Sequence, residues 1–290
     1  MVTKFEFQAI GTGWVIDIFD EISKEKSGQI LKEISNRIAI FDKNYSRFRK
    51  DSLVTEMSLK TGTYKLPEDS EIMIDLYKKF YDVTEGQVTP LIGQVLVDAG
   101  YDAQYSLVTK ELHKPMLWDE VMTWAYPILE IKIPALLDFG AGGKGYLVDI
   151  VSDLLETNEI NSYCVDAGGD MRYRNSDGKK LRVGLEHPKD QNQVIGVAEI
   201  GNESICGSAG NRRAWGDFHH IISPESLSSP KHILSVWAIA EDTILADLLT
   251  TSLFFISSEI LQSHFSYEYF IINDDYSIQK SANFPAEIFK

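Results

Sequence analysis

Positive charge is scarce in this chain. Its 28 Lys and Arg stand against 43 Asp and Glu, a formal net charge of −15 over 290 residues. Nucleic acids and anionic membrane surfaces are bound through clustered cations, so the imbalance argues against either as a general partner. An anionic ligand would have to be held locally, by backbone amides, one placed lysine or a bound metal. Cysteine is scarcer still: Cys164 and Cys206 are the only two, with no CxxC or Cys/His spacing. That excludes a disulfide framework and a zinc-finger pattern, and the pair reads as free thiols in a reducing compartment, with one internal disulfide as the alternative. No apolar run reaches the ~18 residues of a membrane span. The start, MVTKFEFQAIGTGW, has no basic segment leading into a long apolar one. A cytoplasmic protein without a membrane span is expected, a leader removed beforehand being the open alternative.

What the chain does have is a 44% hydrophobic composition, enough to bury a sizeable core. Apolar and polar residues alternate over 5–10 and 14–19 with Gly11, Thr12 and Gly13 between, which predicts a hairpin. Helical spacing runs through Leu31, Ile34, Ile38 and Phe41 and again over 70–83, where Asp69 or Ser70 would cap the start. A turn-rich stretch follows Gly86, and periodicity stays weak to about residue 126. Strands are expected over 128–133, resuming at 136–139 after Pro134, and over 163–166, 181–185, 194–200, 219–222, 233–240 and 267–272, with helices following the glycine loop through Leu147, Val148, Val151, Leu154 and Leu155 and over 243–257. Helices mixed among many strands without strict alternation favour an α+β fold, with mixed or antiparallel sheets and packed helices. No repeat or low-complexity linker divides the chain, so a single domain over 1–290 is expected.

Two segments carry chemistry. DFGAGGKGYLVD, residues 138–149, places Gly140, Gly142 and Gly145 in a GxGxxG pattern, with Asp166 about twenty residues on, as in a dinucleotide-binding turn. Lys144 beside the phosphate position and the non-alternating context count against that reading. A P-loop fails outright, because Asp138 stands where its first glycine belongs and Gly145 where its Ser/Thr belongs. What survives is a loop whose amides and helix start could hold an anion, or one whose glycines only permit close packing. The second segment, EDTILADLLTTSLFFIS at 241–257, is apolar almost all round yet carries Asp247 and Thr251 one turn apart on one face. A carboxylate facing a core needs a partner. A hard cation such as Mg²⁺ takes oxygen ligands of this kind; an exposed stripe is the alternative.

In order and spacing, DFGAGGKGYLVD, VDAGGD, HHIISP and ADLLTTSLF resemble the signatures of the FAD:protein FMN transferases, the ApbE family. AIGTGW near the start is similar to that family's MGT segment, and NYSRFRKDSLVTEMS to its SxF/YxxxSxLxxLN stretch. The resemblance spans nearly the whole chain. It implies Mg²⁺-dependent cleavage of the FAD pyrophosphate, with FMN moving to a Thr or Ser hydroxyl of an acceptor flavoprotein and AMP leaving. It implies a metal held by the Asp247 and Thr251 side chains and the Ala141 carbonyl. Asp138 and Lys144 match FAD-contacting positions, and Ile10 falls where the MGT methionine sits. Phe48 falls where an aromatic packs on the flavin, though it could be plain core. Gln87, Val88 and Thr89 fall on a GxFD stretch, and Ile222 on the second isoleucine of HIID. His220 matches the base that would take the hydroxyl proton, with the adjacent His219 as a rival.

The departures lie on the flavin and acceptor side. Ser223 replaces the aspartate of HIIDP, the Thr-Gly pair after it is missing, Thr89 replaces the usual aspartate, and GSAGNRR only loosely follows TSGxYxR, leaving Arg213 open. Asp166 and Asp170 read as turn residues, with support of a bound ligand from behind as the open alternative. Alternatives that keep the site are an FAD pyrophosphatase using water, or a non-catalytic flavin-binding protein; an NAD(P) oxidoreductase is the more distant one.

Overall fold

The computed structural model of the chain describes residues 2–289. Strands Thr3–Ala9 and Thr12–Ile18 pair antiparallel with Ala9 opposite Thr12, so Ile10 and Gly11 alone make the turn. Both adopt positive φ, 44° and 78°, as the two-residue turn that matches strand twist requires. This hairpin is one end of an eight-stranded sheet continuing through Tyr163–Ala167, Met171–Arg174, Ser204–Ala209, Ile233–Ala240, Glu268–Asn273 and Ile278–Lys280. Every neighbouring pair is antiparallel. A dinucleotide-binding βαβ unit needs parallel neighbours. Here residues 136–139 form no strand at all, and that reading is removed.

Side chains alternate across the sheet. Val236, Ala238 and Ile271 join a core on one face; Trp237, Ile239 and Phe270 join a core on the other. Helices Lys24–Tyr45, Ser70–Val83, Gly143–Thr157 and Thr243–Ser252 supply the first core, and a small antiparallel sheet of Leu181–His187, Asp190–Ile200 and Ala286–Ile288 covers the second. The expected α+β class with antiparallel sheets holds. Among the described residues no helix is long and apolar enough to cross a membrane.

Some local expectations change. Lys24–Tyr45 begins at Ser23, whose hydroxyl accepts the Lys26 N–H at 3.1 Å, and buries Ile30, Ile34, Ile38 and Phe41 on one face. Asp69 precedes Ser70–Val83 without capping it, because its carboxylate is engaged by Arg37 and by the Tyr45 hydroxyl. The helix expected over 243–257 stops at Ser252, where Phe254 and Phe255 N–H groups bond three residues back in tight turns. The strand expected over 219–222 shrinks to Phe218–His219, paired with Ala214–Trp215, and Ile221 and Ile222 bury their side chains from a loop.

Candidate active site

Two glycines set the site. A Cβ on Gly142 would lie 2.6 Å from Leu248 Cγ, and one on Gly145 would lie 2.4 Å from the Thr243 carbonyl oxygen. The glycine-loop helix therefore approaches Thr243–Ser252 closer than any side chain would allow. At that distance the Gly145 N–H donates to Asp247 Oδ2 at 2.9 Å. Asp149, at the end of the same motif, accepts the Thr243 and Ile244 N–H groups at 2.9 and 2.8 Å and so caps the second helix, a role Asp242 leaves vacant. The remaining glycine amides are also engaged: Gly140 by Asp138 Oδ1 at 2.7 Å, Gly142 by the Tyr77 hydroxyl at 3.0 Å, and Gly143 by the Phe139 carbonyl at 2.7 Å. The expected cradle of free glycine amides is not there. Close packing is what these glycines serve, and positive charge for an anion must come from elsewhere.

The diversion of the Gly145 N–H has a second effect. In a continuous helix it would bond the Ala141 carbonyl; here that oxygen accepts no hydrogen bond among the described residues, nor do Asp247 Oδ1 and the Thr251 hydroxyl. All three residues border one cavity of about 650 Å³. Asp247 is 4% exposed, and burial raises its carboxyl pKa. Removing an acidic proton there becomes favourable when a cation takes its place. One carboxylate, one hydroxyl and one carbonyl suit Mg²⁺, which keeps several waters or substrate oxygens. No group of three or more His, Cys, Asp or Glu that could hold a metal occurs among the described residues, and this oxygen set does not require one.

Lys144 borders the same cavity and forms an ion pair with Asp170. Asp170 is fully buried, and its carboxylate meets no other hydrogen-bonding group among the described residues. Asp170 thus serves in two ways: its carbonyl accepts the Ala167 N–H at 2.9 Å and closes the turn, while its carboxylate is the counter-charge behind the lysine. Asp166 does act in the turn, accepting the Gly169 N–H at 2.8 Å, while also lining the cavity. The signal in VDAGGD was present, but two glycines made a turn the simpler reading.

The two histidines separate cleanly. His219 Nε2 donates to the Pro230 carbonyl at 2.9 Å, and its Nδ1 accepts the Ile221 N–H at 3.3 Å, so both nitrogens and the tautomer are set by backbone. His220 lines the cavity, and its Nδ1 has no partner. Its ring keeps a partial opening onto the cavity while protein surrounds the rest. Burial first, then Arg213, lowers its pKa to about 3, which leaves it neutral and able to accept a proton.

Phe48, Gln87, Val88, Thr89, Asp138 and Ile222 border this cavity too. Phe48 stacks on Tyr105 with ring centroids 5.7 Å apart and belongs to an apolar cluster with Leu96, Tyr101, Trp215 and Ile222. Phe48 and Tyr101 bring two aromatic rings of that cluster to the cavity wall, meeting edge to face at 66°. Asp138 has little left for a ligand, since Oδ2 meets Arg47 and Oδ1 the Gly140 N–H. Arg47, buried and bonded also to the Tyr101 carbonyl at 2.7 Å, ties this wall to the glycine loop, a link the sequence did not reveal. The Thr89 hydroxyl accepts the Leu91 N–H at 3.2 Å and caps a short turn. Ser223 accepts the Glu225 and Ser226 amides and donates to Gln87 Oε1 at 3.0 Å, joining the His220 loop to the opposite wall. Ile10 is the exception: its side chain packs on the main core, and Gly11 and Thr12 border the cavity instead. Arg213, left open in the sequence, also borders the cavity and makes no ion pair among the described residues.

Residues 10–268 match the ApbE family. A FAD:protein FMN transferase of Vibrio cholerae is 27% identical over 247 residues, 80% of this chain and 72% of that protein. One from Escherichia coli K12 is 24% identical over 280 residues, 89% of this chain and 79% of that protein. Among solved structures, the flavin transferase ApbE from Vibrio cholerae superposes with a TM-score of 0.81 at 20% identity, covering 98% of both chains. The ApbE protein from Thermotoga maritima superposes at 0.83 with the same identity and coverage. At that identity the superpositions establish the shared fold. The family match, covering most of the chain, establishes descent as well, and the chain belongs to the ApbE family.

Proposed function

We propose that this chain, acting as one domain, binds FAD and Mg²⁺ and transfers FMN to a Thr or Ser hydroxyl of an acceptor protein, releasing AMP. The relatives' name, FAD:protein FMN transferase, supports the reaction class. The observation that carries it here is the meeting, in one cavity, of three oxygens without hydrogen-bond partners with a neutral histidine whose Nδ1 is free. Asp247, Thr251 and the Ala141 carbonyl would hold Mg²⁺, which when bound neutralises the diphosphate and the charge developing on it. Lys144 and Arg213 add the remaining positive charge, and the Phe48 wall takes the flavin ring. His220 accepts the proton of the attacking hydroxyl as its oxygen bonds to the FMN phosphorus and the phosphoanhydride bond to AMP breaks. A bound diphosphate beside the imidazole favours its protonated form, so the ligand itself raises the base toward the working range.

The test is to incubate the protein with FAD and Mg²⁺, with and without an acceptor, and to measure AMP and covalent flavin. AMP that depends on the acceptor, matched by flavin on that acceptor, is the expected result. AMP formed equally without acceptor would make the protein an FAD pyrophosphatase, and FAD retained without AMP a flavin binder.

A further inference from the structure

The strand Leu181–His187 is the outer member of the small sheet and pairs only with Asp190–Ile200. Among the described residues none of its main-chain groups bonds to any other element. Arg182, Val183, Gly184 and Glu186 all border the cavity. Alternate residues on a strand face opposite ways, and Val183 packs into the core beneath while its neighbours do not. Residues of both phases therefore meet the cavity, which means that it faces the strand's open edge. An open edge is normally blunted by covering or by proline; this one borders a site.

The edge also leads to the base. Asn211 Nδ2 donates to the Pro188 carbonyl at 2.5 Å and Arg212 pairs with Glu186, which fastens the 211–213 turn to the strand. The next residue, Arg213, accepts the His220 N–H on its carbonyl at 3.0 Å. Arg182, Arg212 and Arg213 thus border the track from edge to base, in a chain of net charge −15; Arg213 makes no ion pair among the described residues, Arg182 meets Glu199 only at 3.9 Å, and Arg212 is paired with Glu186.

Resting on the transferase reading, we propose that the acceptor docks as an extended, acidic segment added to the free edge of Leu181–His187, which delivers its Thr or Ser hydroxyl to His220. Main-chain bonds to the edge give the grip, and the arginines select acidic flanks.

The test uses a pool of 12-residue peptides with one central Thr and randomised flanks, incubated with the whole chain, FAD and Mg²⁺; flavinylated peptides are sequenced and AMP is measured alongside. Asp and Glu should be enriched near the Thr, and Arg182→Glu should reverse that preference while FAD affinity, read by flavin fluorescence, is unchanged. The preferred peptide is then remade with N-methyl groups at every second residue, in each of the two phases. Strand addition requires one phase to lose transfer about tenfold or more and the other to stay within about twofold. Equal effects in both phases or no acidic enrichment would overturn edge docking and leave the site chemistry standing. AMP released with no peptide labelled, or no AMP under any condition, would overturn the transferase reading and this inference with it.

Discussion

His219 and His220 are neighbours of the same type, and what separates them is which hydrogen bonds the fold offers each ring. Backbone takes both nitrogens of His219, while His220 lines the cavity with its Nδ1 buried and unpartnered. His220→Ala should lower the transfer rate by about 10²–10⁴ with FAD affinity little changed, read by stopped-time AMP assays and flavin fluorescence titration. His219→Ala should instead lower the melting temperature, because the Pro230 carbonyl and Ile221 amide lose their partner. If it removes turnover and spares stability, the assignment is reversed. Asp247→Asn keeps an oxygen to accept the Gly145 N–H but removes the charge. AMP formation should fall to background and the Mg²⁺-induced rise in melting temperature should vanish in a chain that remains folded. Full activity in that variant rejects the metal assignment.

Between elements, the site depends on pairs that stand or fall together. Lys144 and Asp170 come from the glycine-loop helix and from the turn before strand Met171–Arg174. Lys144→Met should destabilise the protein by about 3–5 kcal/mol, since it leaves a fully buried carboxylate unpaired. Adding Asp170→Asn should restore much of the melting temperature while FAD binding stays weak. Recovery of binding in the double variant would show that Lys144 has no role toward the ligand. Gly145→Ala drives a Cβ to 2.4 Å from the Thr243 carbonyl. The two helices must part, at a cost of about 1–3 kcal/mol, and Asp247 moves with them, so both stability and Mg²⁺ affinity should drop.

Across the whole molecule, the two-sided sheet puts helices behind Asp247 and Thr251 and a small sheet beside the cavity. The same burial makes stability depend on pH. The His220 pKa is lowered from 6.5 to about 3 by burial and nearby cations, and burial lowers that of His219 as well. Between those values the unfolded chain binds a proton that the folded chain resists. The histidines' contribution to stability is therefore full above pH 6.5 and is lost as pH falls toward 3. His220→Gln should flatten that decline in urea-unfolding curves taken across the window; an unchanged slope would mean that His220 does not sense its surroundings as described.

From sequence alone came what depends on local period and residue type. The hairpin, the helices at 70–83 and after residue 143, the α+β class and the positions Asp247, Thr251, Lys144 and His220 were all legible, since spacing and the ordered motifs carry them. The tertiary structure alone decided which polar atoms remain free. Glycine amides that looked available are bonded across long sequence separations, Asp170 proved to be a buried counter-ion, and Ile10 yields the cavity to Gly11 and Thr12. Period and composition say which face of an element is apolar. Whether a given N–H, carbonyl or ring nitrogen finds a partner depends on how closely two remote segments approach, and a one-dimensional pattern does not contain that distance.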